Sequence, residues 1–511
     1  MPPPETKDDH HQGREVHLQL WRDIIKYFPS VILPRMTGIL TVPIITRLFP
    51  PEVFGTYALV MANVAVLNSA ALTGIGSSLL RFLPERAGDP EGEGDLLSTL
   101  ITISLGICVM ISVGGLVVLH IFSEPIGRRF EVLMAVGFVL FTTNGLFGLV
   151  SLVLRSAGKA GIFSTIQLVS GYGGLALGLL LVLVFKFGIE GLLIGNVFTG
   201  IVGIGLAWPA AMAGRRVVPG RLSRAVLRQI MGFAFYISLG NAAYWLLSFS
   251  DRWLLRLMRG AEEVGLYAAS YDLTGKTTQL FVVAFGLALA PLSIATWEGS
   301  GRRITEHLLA ASTRTYILVM LPATVGLSLL ARPLISVLAT PTYVRGAAIV
   351  PFIAFAMLLF GLLDIVGRGL TLSKRPDIEA RNFLLAGLVN VALNLLLIPR
   401  FGIMAAAFST LCGYIALLAL HVRSVRQFVT WRFPWTSLAR VVVACGLMAV
   451  VVVGLPSILP PIRNLPRLLL LSFTGAVVYA AAIVALGEVS FSQLRSLFAR
   501  EPRPTDGGTA G

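Results

Sequence analysis

The stretch Glu52-Val53-Phe54-Gly55-Thr56-Tyr57-Ala58 returns 210 residues later as Glu262-Glu263-Val264-Gly265-Leu266-Tyr267-Ala268, and each copy opens an apolar run about as long as a membrane-crossing helix. Two further matches share nearly the same spacing: Phe187-Gly188-Ile189 with Phe401-Gly402-Ile403, and Lys159 with Lys374. Recurrence at one period means the chain is duplicated internally. Each repeat holds six apolar spans, an even number, so both halves enter the membrane with the same orientation. They are therefore expected to be related by a pseudo-two-fold axis along the membrane normal.

Composition agrees. Of the 511 residues, 55% are hydrophobic and 13% charged, and the mean hydropathy is +0.81. This is the profile of an all-α polytopic membrane protein, and no aqueous segment is long enough to fold alone. The net charge of +15 does not indicate nucleic acid, because the Lys and Arg are scattered through short loops instead of lining one soluble face. Cys108, Cys412 and Cys445 sit in separate apolar runs and read as small core residues. The six histidines show no metal-ligand spacing, and no Gly-rich phosphate loop with Lys-Ser/Thr occurs, so neither a cofactor nor ATP hydrolysis is expected.

About fourteen transmembrane helices are expected between Pro29 and Val489. The sequence divides into a cytoplasmic tail with an interfacial helix (1–28), an N-terminal six-helix lobe (29–212), a basic linker (213–230), a C-terminal six-helix lobe (231–421), two extra helices (422–488) and a second tail (489–511). Most of the 41 Lys and Arg fall on one side of this plan, the side of both termini and of Arg215, Arg216, Arg221, Arg224 and Arg228. By the positive-inside rule that side is cytoplasmic. Glu85, Asp89, Glu91, Glu93 and Asp95 read as a solvated turn.

Five segments carry a family resemblance. Arg47-Leu48-Phe49-Pro50-Pro51-Glu52-Val53-Phe54-Gly55-Thr56-Tyr57 with Arg81-Phe82-Leu83-Pro84-Glu85 resembles the opening of bacterial polysaccharide transporters of the O-antigen flippase type. Ser250-Asp251-Arg252 with Val264-Gly265-Leu266-Tyr267, and the run Asn390 to Ala406, resemble that family's second half, although Ala405-Ala406 stands where the family often has Gly-Ala. The resemblance implies membership of the multidrug/oligosaccharidyl-lipid/polysaccharide exporter superfamily, with two bundles around a cavity that opens alternately to either side. It further implies a polyprenyl-diphosphate-linked oligosaccharide as cargo, flipped across a bacterial inner membrane for surface polysaccharide such as the O-antigen of lipopolysaccharide. The implied partners are that lipid, its membrane neighbours and polysaccharide-assembly proteins.

Against this background the intramembrane charges are the candidate transport residues. A charge in mid-span costs about 2.5 to 3.5 kcal/mol on insertion scales, so it faces a cavity or a partner. Arg35 lies in the first span beside Pro34, where it either meets a diphosphate with paired hydrogen bonds or snorkels to the interface. Asp272 and Lys276, and again Asp364 and Arg368, stand at i, i+4 in acid-then-base order. Each pair either neutralises itself or offers its cation to phosphate or sugar while the carboxylate gates or senses protons. Asp251-Arg252 closes the seventh span at its outer boundary and reads as an interfacial cap or a gate.

None of these charges is duplicated. The repeat matches Arg35 to Trp245, Asp272 to Ala62, Lys276 to Val66, Asp364 to Leu149 and Arg368 to Val153. Similar lobes with unequal charges suit an asymmetric ligand held between them. Asn390 and Asn394 read as helix-packing residues, as do Gly174-x-x-x-Gly178 and Gly191-x-x-x-Gly195. The rival functions are a lipid II flippase or drug exporter of the same plan, and a membrane glycosyltransferase or polymerase. The last needs catalytic carboxylates or histidines on an aqueous loop, and the sequence presents no such constellation.

Overall fold

The computed structural model describes residues 36–121, 127–218, 220–458 and 464–489. Arg35, the expected interfacial helix and both tails lie outside the described residues. The N-terminal lobe consists of α1 (Met36–Leu48), α2 (Pro51–Phe82), α3 (Pro90–Ile121), α4 (Arg128–Ser156), α5 (Ala160–Leu183) and α6 (Glu190–Ala211).

The second lobe begins with α7 (Arg224–Arg259), whose first turn is capped by the Ser223 hydroxyl. A single helical run, Ala261–Leu329, follows and is divided at Gly301 (φ +79°) into α8 (residues 261–300) and α9 (residues 302–329). A left-handed residue at the break is a conformation glycine adopts without a steric penalty. A short helix, Ala331–Leu338, and a 3-10 stretch, Pro341–Ile349, lead into α10 (Val350–Leu372), α11 (Pro376–Phe401) and α12 (Ile403–Val425). The chain ends with α13 (Trp435–Gly454) and α14 (Asn464–Ala485).

Among the described residues eleven helices are long and apolar enough to cross a bilayer, and the bent α7 makes twelve. The run Ala261–Leu329 counts once among these although Gly301 divides it into two long helices, and α1 is a shorter apolar helix beside them. The protein is thus an all-α polytopic membrane protein with about fourteen spans. Large apolar side chains face outward where lipid would lie, such as Val113 and Val117 of α3, each more than half exposed.

The duplication is visible in the packing. In the first lobe α4 packs on α2 and α6, and α5 on α6; in the second α10 packs on α8 and α12, and α11 on α12. Thr37 of α1 faces Gly171 of α5, matching the contact of α7 with α11. The two glycine pairs form the α5–α6 seam as expected: a Cβ on Gly195 would sit 2.5 Å from the Gly178 nitrogen. The helices α13 and α14 pack on each other and attach to α9, where the Tyr479 hydroxyl donates to the Leu318 carbonyl at 2.7 Å.

The lobes meet chiefly along α2, which lies against α7 and α8. Trp253 Nε1 donates to Asn63 Oδ1 at 2.8 Å, and Gly55 and Gly265 bring α2 and α8 so close that neither backbone leaves room for a Cβ. The linker is a further connection, and here the expectation of a solvated acidic turn fails for two residues. Glu93 pairs with Arg215, and Asp95 with Arg221 at 3.2 Å. Backbone N–H groups of Val218, Gly220 and Ser223 donate to the hydroxyls of Ser98, Thr102 and Thr99 at 2.9 to 3.1 Å. Two of the acids are receptors for the basic linker, a pairing that sequence separation conceals.

Candidate transport site

Lys276 lies on α8 with Asp272 one turn earlier, and its Nζ is 3.0 Å from Asp272 Oδ2. Its side chain runs toward α1, where a Cβ placed on Gly38 would lie 3.5 Å from the Lys276 Cδ and 3.9 Å from its Nζ. The ammonium therefore stands between the lobes, beside Gly38 of the first helix. The other oxygen of Asp272 is 3.5 Å from the guanidinium of Arg252. Asp272 thus has two cationic partners from two helices.

Arg252 is held firmly. Its guanidinium carbon lies 4.5 Å from the ring centre of Phe249 and 4.6 Å from that of Tyr271, contacts that attract a cation through the ring quadrupoles. It also donates to the Ser248 carbonyl at 3.2 Å and lies 3.7 Å from Asp251. Asp251 accepts from the Tyr267 hydroxyl at 2.5 Å, from Thr410 Oγ1 at 3.3 Å and from its neighbour's backbone N–H at 2.7 Å. A charge removed from solvent is tolerated when its remaining hydrogen-bonding positions are filled. Here a continuous polar line runs from Thr410 on α12 through Asp251, Arg252 and Asp272 to Lys276 beside α1.

This arrangement corrects the expectation of an interfacial cap at Asp251-Arg252. The helix α7 continues to Arg259, so the pair lies about two turns inside it, with 0% and 3% of the side chains exposed. The apolar run stops at Ser250, but the helix does not: the carboxylate and guanidinium are satisfied within the lobe and need no water. Tyr267 and Thr410 are partners of Asp251 that sequence proximity does not reveal. The signal for Tyr267 was present, since it is the tyrosine of the repeated motif.

Asp364 and Arg368 form the second pair on α10, with one guanidinium nitrogen 2.8 and 2.9 Å from the two carboxylate oxygens. They pack against Gly286 of α8, and Glu379 of α11 lies within their electrostatic reach. Gly286 is ten residues beyond Lys276, about 15 Å along the helix, so the two pairs are separate features of one lobe. Asn394 donates to Asn390 at 3.0 Å, and Asn390 accepts from Ser250 of α7 at 3.3 Å, in keeping with helix packing. Lys159 caps the end of α6 through the Ala210 carbonyl at 2.8 Å.

Residues 20–297 match the family described as Polysaccharide biosynthesis protein. The chain belongs to that family. The probable low-salt glycan biosynthesis flippase Agl15 of Haloferax volcanii is 21% identical over 487 residues, 95% of this chain and 100% of its own length. Among solved structures, a lipid II flippase, MurJ, in an inward closed conformation aligns over 91% of this chain and 98% of its own, with a TM-score of 0.74 and 14% identity. An inward-facing MATE family multidrug transporter aligns over 78% and 94%, with a TM-score of 0.66 and 13% identity. The solved structures show that this chain shares their fold.

Proposed function

We propose that this protein flips a polyprenyl-diphosphate-linked oligosaccharide from the cytoplasmic to the outer leaflet by alternating access, in surface polysaccharide biosynthesis. The observation that carries the reading is Lys276, a partly exposed ammonium held between two lobes in the middle of an apolar protein. A diphosphate is at least a dianion, and an ammonium offers it a compact positive charge in a region where water competes weakly. Arg35, which lies outside the described residues, is retained from the sequence as a further cation for the diphosphate. Asp364 and Arg368 would meet the cargo further along α8, and Asp251 and Arg252 would support the first contact from behind. The full-length likeness to a glycan biosynthesis flippase supports the class of cargo.

The test is Lys276→Ala in cells that make the glycan. The variant should insert at normal abundance while lipid-linked oligosaccharide accumulates on the cytoplasmic leaflet. Normal surface polysaccharide in those cells would remove Lys276 from the mechanism. The proposed orientation, with both termini cytoplasmic, has its own check: a reporter active only outside the cytoplasm should be silent when fused after Arg228.

A further inference from the structure

The two cations on Asp272 are not equivalent. Lys276 is 35% exposed and has a flexible four-carbon stem against the open side of Gly38. Arg252 is 3% exposed, fixed between two aromatic rings and bonded to a carbonyl of its own helix. They also approach different oxygens, Lys276 at Oδ2 and Arg252 at Oδ1, so one can leave without disturbing the other.

We infer that Arg252 is a standing counter-charge that frees Lys276 for an anionic ligand: the ammonium exchanges Asp272 for diphosphate while Arg252 continues to neutralise the carboxylate left behind. This rests on the proposed function and assigns Arg252 the part of a positioning residue that does not touch the cargo. The difficulty it resolves is energetic. A lysine paired with a single carboxylate is a poor anion receptor, because pulling it away leaves a negative charge, here on the 29% exposed Asp272, without a partner in an apolar surrounding, and this is unfavourable. A second cation already in place removes most of that penalty. Asp251 can share Arg252 because it has three other hydrogen bonds, from Tyr267, Thr410 and a backbone N–H.

With both carboxylates ionised, the four side chains carry two negative and two positive charges and the network is neutral. The Asp364–Arg368 pair is built differently: one guanidinium nitrogen serves both oxygens of Asp364, and a further charged neighbour is a carboxylate, Glu379. Exchange is therefore assigned to Lys276 and not to Arg368.

The test is binding of undecaprenyl diphosphate, used as the probe, to full-length purified protein in detergent. Arg252→Met removes the charge at similar length and leaves Lys276 as the remaining cation on Asp272; the affinity should fall at least tenfold. Arg252→Lys should stay within a few-fold of the unaltered protein. Adding Asp272→Asn to Arg252→Met removes the carboxylate that traps the lysine, and binding should recover. A merely structural role for Arg252 predicts no such recovery, since the double variant is more altered than the single one.

Should Arg252→Met fail to fold, Asp272→Asn alone decides the matter, because it must bind at least as tightly as the unaltered protein; weaker binding overturns the exchange. Unchanged affinity in Arg252→Met, or no recovery in the double variant, overturns it as well while leaving the flippase reading in place. If the unaltered protein does not bind the probe at all, both readings fall.

Discussion

Lys276 of α8 and Gly38 of α1 meet across the boundary of the two lobes, the lysine stem lying 3.5 Å from where a side chain on Gly38 would begin. The first lobe thus contributes an absence of side chain, and the second contributes the charge. A methyl group fits at that distance, so Gly38→Ala should transport nearly normally. Gly38→Leu fills the space the lysine occupies and should lower flipping at least tenfold in proteoliposomes, with abundance and thermal stability little changed. Equal activity of the two variants would mean that the space beside Lys276 is not used.

The hydroxyl of Tyr267 is one of three hydrogen-bond donors to the fully buried Asp251. Tyr267→Phe removes it without creating a large cavity. The expected cost is about 1 to 3 kcal/mol, the range for leaving a buried acceptor short of a partner. A thermal unfolding scan in detergent reads it as a lower midpoint, and an unchanged midpoint would show that Thr410 and the backbone suffice.

Much of this fold could be read from the sequence, and the reasons are physical. A helix in lipid must bury its own backbone hydrogen bonds, so length and hydropathy alone delimit the spans, and the motif at Gly55 and Gly265 marked the duplication because both glycines are needed where α2 and α8 touch. The i, i+4 pairs were equally legible, since they are local. What a single sequence does not show is a partner brought from another helix. Asp251 looked like the end of a span because its acceptors are filled by Tyr267 and Thr410, 16 and 159 residues away. Glu93 and Asp95 looked solvated because Arg215 and Arg221 are more than 100 positions distant, and their pairing depends on where the linker folds.

That linker contact predicts protease behaviour. Arg215, Arg216 and Arg221 are trypsin sites in an extended segment, yet the segment is pinned to α3 by two ion pairs and three backbone hydrogen bonds. Glu93→Ala should release it and raise the cleavage rate between the lobes severalfold, while the combined exchange Glu93→Arg with Arg215→Glu should slow cleavage again. Equal rates in all three proteins would mean that the pairing does not hold the linker.

At the end of α14, the carboxylate of Glu488 binds Arg314 of α9 at 2.5 Å and Arg440 of α13 at 3.0 Å. Burial opposes its charge, but hydrogen bonds from Ser437, Arg314 and Arg440 outweigh that and hold its carboxyl below the ordinary 4.5. A carboxyl with a depressed folded value stabilises fully above its unfolded value and loses that contribution as the pH falls through the folded one. Thermal stability should therefore decline below about pH 4.5, and Glu488→Gln should flatten that part of the profile and lower stability at neutral pH. An unaltered acid limb in the variant would assign the decline to other carboxylates.

The last prediction concerns the face opposite the linker. There the turn between α1 and α2 is bound to the second lobe: Arg47 donates to the Val337 carbonyl at 2.8 Å, Thr340 to the Thr46 carbonyl at 3.4 Å, and Tyr343 to the Phe49 carbonyl at 2.9 Å. Under the proposed alternating access, cargo leaves on this face only when these contacts part, because they join the two lobes. A thiol pair, Arg47→Cys with Val337→Cys, in a background with Cys108, Cys412 and Cys445 replaced by alanine, allows the lobes to be tied there with a reductant-cleavable bifunctional maleimide. The tied protein should still bind undecaprenyl diphosphate supplied from the linker side but should flip at less than a tenth of the untied rate, and cleaving the tether should restore transport. Undiminished flipping in the tied protein would mean that the cargo passes without opening this face.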